Sequence, residues 1–164
     1  MLKKLIPLKV VLPIALLSAS LTIALPAAPV LACTPPPGGL VIPSPAERTR
    51  NADLVFLGTV TEVFQVQGEV GDHAHIDVEI YYKGQGVGRL VSVSGFGSTA
   101  ICLSPVTVGD RLVFFVGIGE GSKLYAKYMT QFDATTIAEP AILAEIQTAA
   151  GQPPLTPFPE EVAA

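Results

Sequence analysis

Cys33 and Cys102 are the only cysteines in this 164-residue sequence, and Cys33 directly follows a hydrophobic leader. A cysteine at such a junction can be a lipid anchor, one half of a disulfide, or the working end of the molecule. An even number of cysteines in an oxidising compartment favours a disulfide. This bridge would close roughly 70 residues and restrict the unfolded chain by about 4 kcal/mol in the loop-entropy treatment. We therefore expect Cys33 and Cys102 to be bonded to each other.

A lipid anchor on Cys33 is the competing interpretation. Lipidation would leave Cys102 without a partner, and Leu31 is an unusual residue two positions before a lipidated cysteine. The sequence thus predicts a disulfide, and predicts no membrane attachment unless Cys33 is lipidated.

His73 and His75 form a second candidate for chemistry, with Asp72 and Asp77 beside them. Residues two apart share one face of a strand, and imidazole and carboxylate groups are common metal ligands. The spacing supplies no third ligand, so a solvated hairpin flank is favoured over a metal site.

The remaining motifs give no catalytic constellation. The glycine-rich GIGEGS at 117–122 resembles a phosphate-binding loop, but a strand pattern follows it instead of a helix, which predicts a hairpin turn. The sequence has no nucleophile elbow, no HExxH motif and no histidine with a committed carboxylate partner. We expect neither an enzyme nor a cofactor.

The first 32 residues are typical of a signal peptide. Three lysines lie before residue 10, an apolar run covers 10–25, and Val30 and Ala32 occupy the positions three and one before Cys33. An uncleaved membrane anchor is the alternative, because 10–32 is just long enough to span a bilayer. Three prolines and the Val-Leu-Ala ending argue against it, so we expect a secreted chain that begins at Cys33.

The charge of the exported chain argues against nucleic acid as a partner. The net charge of −4 becomes about −7 once the leader is removed, because the leader holds three of the ten basic residues and no acidic one. Neutralising phosphates requires a basic surface. The exported part is long enough for one domain with a modest core.

The elements that must position these residues are a short helix, a run of strands and a closing helix. Ser44 can cap a helix that begins at Pro45, and Glu47 can return the capping-box bond. Valine- and aromatic-rich segments predict five strands, at 52–64, 73–84, 89–95, 110–117 and 123–130. After Asp133 apolar residues recur every three or four positions, which predicts a helix over 140–150 with Gly151 as its stop.

Two details of the strands are predicted as well. Gly58 lies where the first strand would bend or bulge. In the second strand, strict alternation predicts one face with Ile76, Val78, Ile80 and Tyr82 and a wet face with His75, Asp77, Glu79 and Tyr81. Five short strands with glycine-rich connections predict a mainly β fold, a closed or partly closed antiparallel barrel.

A set of motifs in this order resembles the amino-terminal domain of the tissue inhibitors of metalloproteinases and their bacterial relatives. They are Cys33-Thr34 at the start of the exported chain, the prolines after it, ADLVFLGTV, YYKG, Cys102, and VGDRLVFFVG followed by KLY. The resemblance covers about 33–132. It implies a five-stranded OB-fold barrel with flanking helices, in a TIMP-like or NTR-like domain over 33–151. The proline-rich and acidic composition of 152–164 separately predicts an extended or disordered tail.

The resemblance also implies a mechanism and a partner. The α-amine and carbonyl oxygen of Cys33, freed by signal cleavage, would chelate the catalytic zinc of a metalloproteinase. The bond to Cys102 would hold this chelate against the barrel. The function expected by resemblance is inhibition of a zinc metalloproteinase by a secreted protein.

Further protease contacts follow from the same resemblance. Thr34 would project toward the primary specificity pocket, and Ala100 and Ile101 would form the neighbouring half of the contact ridge. Pro35 stands where vertebrate members have a second cysteine; it would stiffen the ridge but removes an amide donor. The alternative from another class is a secreted or lipid-anchored OB-fold module that binds a protein or glycan without inhibiting a protease.

Overall fold

The computed structural model describes residues 42–85, 88–98, 103–126 and 134–158. In this part of the chain two helices flank six strands. The helices are α1 (Pro45–Asn51) and α2 (Pro140–Ala150). The strands are β1 (Leu54–Gln65), β2 (Asp72–Lys83), β3 (Leu90–Phe96), β4 (Arg111–Ile118), β5 (Leu124–Ala126) and β6 (Thr135–Ile137).

Five of these strands close into a barrel. They follow the order β1-β2-β3-β5-β4, and β4 pairs back onto β1. The predicted five-stranded OB-fold barrel with a short N-terminal helix and a C-terminal helix is thereby confirmed. It is not wholly antiparallel, because β3 and β5 run parallel. A closed ring with an odd number of strands cannot alternate direction throughout, so one parallel pair is required.

β6 is a strand that the sequence did not predict. Thr135 to Ile137 pair antiparallel with β4, outside the barrel ring. Ile137, one of the apolar residues that recur after Asp133, lies in this three-residue strand, before the helix begins. The predicted bounds of the helix itself, 140–150, are confirmed.

The core has two apolar clusters on the two sides of β1. The first fills the barrel and contains stacked Phe56 and Phe114 rings, whose centroids lie 5.3 Å apart. The second lies between the barrel wall and α2, where Val55 and Phe115 pack with Ile146. Because both faces of β1 are covered at its start, residues 54–57 are a continuous run of buried apolar residues instead of an alternating one.

A β-bulge in β2 changes which side chains point inward. Gly58 pairs with Val78 but its neighbour Leu57 pairs with Ile80, so Glu79 is the extra residue. The alternation therefore reverses there, and Tyr81 is 0% exposed inside the barrel. The prediction that Tyr81 lies on the wet face was wrong, because only cross-strand register reveals the bulge. The bulge beside Gly58 itself is confirmed.

Side-chain contacts fix both ends of α1. Ser44 Oγ accepts a hydrogen bond from the Glu47 amide at 3.2 Å, as the capping motif predicts. At the other end the Lys83 ammonium donates to the carbonyl oxygens of Thr49, Arg50 and Ala52 at 2.9, 2.8 and 2.7 Å. Helix C-terminal carbonyls otherwise lack partners, so Lys83 acts as a cap supplied by a distant strand.

The connections agree with the predicted turns. β1 and β2 form a hairpin with its tip at residues 66–71, and GIGEGS forms the turn of the β4–β5 hairpin. Gly151 adopts the left-handed conformation, φ 68°, and ends α2. Among the described residues no helix has the length and apolarity needed to cross a membrane.

Candidate functional site

The residues predicted to contact a protease all lie outside the described residues. They are Cys33, Thr34, Pro35, Ala100 and Ile101, and the expected disulfide partner Cys102 lies outside as well. The structure describes the two frameworks that carry them, the residues on either side of 99–102 and the helix that follows the N-terminal segment.

Residues 97–98 and 103–104, on the two sides of the segment that contains Cys102, are hydrogen-bonded to each other, and we call these four residues the loop neck. The Leu103 amide donates to the Ser98 carbonyl oxygen at 3.3 Å, and the Gly97 amide donates to the Ser104 carbonyl oxygen at 3.0 Å. Ser104 is buried, and its Oγ accepts from the Ala134 amide at 3.3 Å. Backbone hydrogen bonds thus join the residues on the two sides of 99–102.

The loop neck lies against the tip of the β1–β2 hairpin. Gly71 has φ +87°, and a Cβ atom at this position would lie 2.6 Å from the Phe96 carbonyl oxygen and 2.8 Å from Leu103 Cδ1. Only glycine tolerates both this conformation and this approach. The end of β3, the loop neck and the hairpin tip are therefore packed closely together.

The second framework is α1, which follows the N-terminal segment directly. The Arg48 guanidinium lies 4.5 Å from the centre of the Phe115 ring and donates to the Thr135 carbonyl oxygen at 2.9 Å. Glu145 of α2 accepts from the Ala46 amide at 2.9 Å. With the Lys83 cap, these contacts tie α1 to the barrel, to β6 and to α2.

The two histidines each contact a different carboxylate. His73 Nε2 lies 2.9 Å from Glu69 Oε2, within ion-pair distance but without hydrogen-bond alignment, and His75 Nδ1 lies 3.0 Å from Glu62 Oε2. The Phe64 ring lies within 5.5 Å of both imidazoles. Across the described ranges no three histidine, cysteine or acidic side chains form a group able to hold a metal ion.

Two ion pairs cross the outer face of the barrel. Arg89 donates two hydrogen bonds to Asp77 at 2.7 and 2.9 Å, and Arg111 binds Glu79 in the same bidentate way with a shortest distance of 2.7 Å. These hydrogen bonds hold the pKa of each carboxyl below its ordinary value. The arginines keep both carboxylates charged and fix the bulged part of β2.

A cleft that the sequence did not reveal opens on the outer face of the barrel. It has a volume of about 430 Å³ and lies between the start of β2, β3 and the β4–β5 turn. Its lining combines apolar Leu90 and Leu124 with the hydroxyl-bearing Ser92 and Ser94. The alternation of β3, which places both serines on its outer face, is the feature of the sequence that could have indicated this cleft. The sequence does not show which turn lies opposite them.

His73 and Lys123 supply the basic groups of this cleft. Glu69 lies between them, and its second carboxylate oxygen is 3.4 Å from Lys123 Nζ. Lys123 is 76% exposed, so this long ion pair contributes little stability and leaves the ammonium accessible.

The barrel order, with its single parallel pair and its N-terminal and C-terminal helices, defines an OB-fold barrel. The family model of the Agrin NtA domain matches residues 46–127, from α1 to the end of β5 and half of the chain. The chain belongs to this family. Agrin NtA domains are among the NTR-like and TIMP-like modules, so the predicted relationship is confirmed at the level of this wider group.

Proposed function

We propose that this protein is exported, begins at Cys33 after signal cleavage, and inhibits a zinc metalloproteinase through its new amino terminus. Membership of the NTR-like and TIMP-like modules supports the proposal, as does the occurrence of NtA domains in extracellular proteins. The observation that carries it is the loop neck, the hydrogen-bonded residues on the two sides of the segment that bears Cys102. In this proposal the chain catalyses nothing itself.

The chemistry rests on an N,O chelate. A catalytic zinc keeps one open or water-filled position beside its protein ligands, and the amine and carbonyl oxygen of Cys33 would occupy it. The amine must be neutral to bind the metal. A free α-amine has a pKa of about 7.7–8, so deprotonation costs about 1 kcal/mol at neutral pH.

Preorganisation would supply the affinity. A free chain end is mobile and loses conformational entropy when it binds. A disulfide from Cys33 to Cys102 would attach the chelate to the loop whose base is closed by the Ser98–Leu103 bond. Thr34 would then enter the specificity pocket, with Pro35 behind it and Ala100 and Ile101 alongside.

Adding one alanine before Cys33 tests this proposal. The extension moves the amine away from the zinc but changes no residue of the barrel, so we expect inhibition to weaken at least about 100-fold, which corresponds to ~2.8 kcal/mol. The measurement is the inhibition constant against a panel of zinc metalloproteinases, with the protein that starts at Cys33 as reference.

Two controls belong to this test. The thermal unfolding midpoint of the extended protein should equal that of the reference, and intact mass with and without reduction should show a bridge in both. A matched extension at the other end of the chain should leave inhibition unchanged. Equal potency with and without the added alanine would contradict zinc chelation by Cys33.

The cleft favours a second candidate function, an OB-fold module that binds a ligand on its outer face. OB-folds bind extended ligands across strands 2 and 3 and the adjoining loops, and the cleft occupies this part of the barrel. This function would not depend on the amine of Cys33. Ligand binding that the alanine extension leaves unchanged, and that substitution of Lys123 abolishes, would support this second function over inhibition.

A further inference from the structure

The outer edge of β3 is unpaired at its start. β3 begins at Leu90, but β5 pairs with it only at Val93 and Ser94. Within the described ranges no other strand pairs with β3 on the side that faces β5. The residues from Leu90 to Ser92 therefore form an open edge, about 10 Å long, of the kind to which a further strand can be added.

The register with β2 shows which backbone groups lie on this open edge. The Val78 amide donates to the Arg89 carbonyl oxygen at 2.7 Å, so these two residues form a hydrogen-bonded pair at the end of the ladder. Hydrogen-bonded and non-hydrogen-bonded pairs alternate along an antiparallel ladder. Leu90 and Ser92 are therefore in non-hydrogen-bonded pairs with β2. Their amides, and the carbonyl oxygen of Leu90, point away from β2.

The cleft between β2, β3 and the β4–β5 turn keeps the open edge accessible. Leu90 and Ser92 lie on one side of it, and the turn on the other side contains Gly121 with φ 66° and Ser122 with φ 62°. Non-glycine residues rarely adopt this left-handed conformation, and backbone strain of this kind is found preferentially at ligand-contacting sites. Two consecutive left-handed residues cannot continue a strand. β5 therefore begins only at Leu124, and a space of about 430 Å³ remains beside the edge.

The neighbouring edge of β2 is covered, in contrast to that of β3. Beyond the stretch that pairs with β3, the amide and carbonyl of Tyr81 exchange two hydrogen bonds of 2.8 Å with those of Leu155. Proteins commonly cover exposed strand edges because these edges pair with other chains. The chain covers one edge with its own C-terminal segment, whereas the open edge of β3 has no such cover among the described residues.

The shape and lining of the cleft select the kind of ligand. The open edge faces the turn across the cleft, so a single extended strand fits there and the edge of a second barrel does not. No tyrosine or phenylalanine lines the cleft to stack on a sugar or a base. Its two basic side chains, His73 and Lys123, both lie beside the Glu69 carboxylate, at 2.9 and 3.4 Å, and leave no net positive charge for a phosphate or an acidic peptide. What remains is half-exposed Leu90 and the serine hydroxyls, a surface suited to uncharged side chains.

We propose that the open edge of β3 binds an uncharged extended peptide of a partner protein, which enters the cleft and adds to the barrel sheet as a further strand. The amides of Leu90 and Ser92 donate to carbonyl oxygens of the peptide, and the Leu90 carbonyl oxygen accepts from one of its amides. Apolar side chains of the peptide contact Leu90 and Leu124. The inference rests on the second candidate function, ligand binding on the outer face, and specifies the ligand and how it is held.

Amide hydrogen exchange of the exported protein, followed by NMR, tests whether the edge is open. In the free protein the Leu90 and Ser92 amides should exchange at least about 100-fold faster than the Val91 amide. Val91 is the matched control, because it lies between them in the same strand but its amide faces β2.

A neutral peptide tests the occupant. Main-chain hydrogen bonds supply the affinity in strand addition, so a generic strand-forming sequence is an adequate probe at millimolar concentration. The probe is acetyl-Gln-Thr-Val-Thr-Val-Gln-amide. It should slow exchange of the Leu90 and Ser92 amides at least about tenfold and leave that of Val91 unchanged.

Methylated forms of the probe show how it is held. Successive amides of a strand point to opposite edges, so only one alternate set can bond to β3. One form carries N-methyl groups on both valines and the other on both threonines. Their dissociation constants should differ at least about tenfold, because one form loses its hydrogen bonds to β3 and the other keeps them.

A pair of variants tests the protein side. Ser92→Pro removes an amide of the open edge, and proline is tolerated where a strand's N–H faces no partner, so the probe should bind at least about tenfold more weakly. Ser92→Ala changes the side chain but keeps the amide and should bind the probe as the parent does. The thermal unfolding midpoint shows whether each variant is folded. If Ser92→Pro does not fold, the methylated probes decide the question.

Three results would overturn the proposal. The first is a free protein whose Leu90 and Ser92 amides exchange as slowly as that of Val91, since the edge would then already be covered. The second is a probe that leaves exchange of these amides unchanged. The third is equal dissociation constants for the two methylated forms, which would refute strand addition but leave ligand binding in the cleft, the second candidate function, in place.

Discussion

Replacing Lys83 by methionine should destabilise the protein more than any other single lysine substitution among the described residues. Its ammonium donates to the carbonyl oxygens of Thr49, Arg50 and Ala52 within 2.9 Å. Methionine keeps the length and apolar contacts of the side chain but has no donor. The substitution therefore removes the C-terminal cap of α1 with little change in packing.

The size of the effect follows from these three contacts. A hydrogen bond from a charged donor contributes about 1.5–3 kcal/mol net, but three bonds that share one charge on a half-buried side chain do not add fully. The helix C-terminus contributes a further ~0.3–1 kcal/mol. We expect a loss of about 3 kcal/mol. With an unfolding entropy of about 2.1 cal/mol/K per residue over roughly 130 residues, this lowers Tm by about 10 °C.

Equilibrium denaturation measures this loss as a shift in midpoint at constant m-value. The matched control is Lys123→Met, which removes an exposed ammonium 3.4 Å from Glu69 and should cost less than about 1 kcal/mol. If Lys83→Met costs no more than the control, the cap does not stabilise α1 and the reasoning from the three distances is refuted.

Two further predictions concern the barrel wall. Gly58→Ala should cost about 1–3 kcal/mol of unfolding free energy, because its Cβ would lie 2.7 Å from Ile76 Cγ2; an unchanged denaturation midpoint would contradict this close approach. Arg111→Gln should remove the cause of the lowered pKa of Glu79, whose ordinary value is 4.5. A carboxyl group whose pKa is lowered by folding stabilises the fold at pH values above its unfolded-state pKa. This stabilisation is lost as the pH falls through the folded-state pKa. The variant should thus be less stable by at most about 0.5 kcal/mol at pH 7 and equal to the parent well below pH 4.5, as unfolding at a series of pH values will show.

The parts of the fold that local rules determine could be predicted from the sequence. Pro45 after a capping serine sets the start of α1, and Gly151 in the left-handed conformation sets the end of α2. Strand positions followed from runs of β-branched and aromatic residues between glycine-rich turns. In each case the physical cause of the element's position lies in residues that are neighbours in sequence.

The features that the sequence missed depend on distant partners. Tyr81 enters the barrel because Glu79 is bulged against β1, and nothing in the alternation of β2 shows this. β6 is only three residues long and is a strand because β4 offers it an edge. The cleft likewise requires β3 to lie beside a turn some thirty residues later, as the Ser94–Leu124 hydrogen bond of 3.2 Å shows.

The tip of the β1–β2 hairpin connects the two surfaces that carry the proposals. Gly71 packs on the loop neck, whereas Glu69 contacts Lys123 in the cleft. The neck itself is closed by backbone bonds between Ser98 and Leu103, which substitution of Lys123 leaves in place. Loss of inhibition by an added residue before Cys33 and loss of ligand binding in the cleft by Lys123→Gln are therefore separable outcomes, and either function can fail without the other.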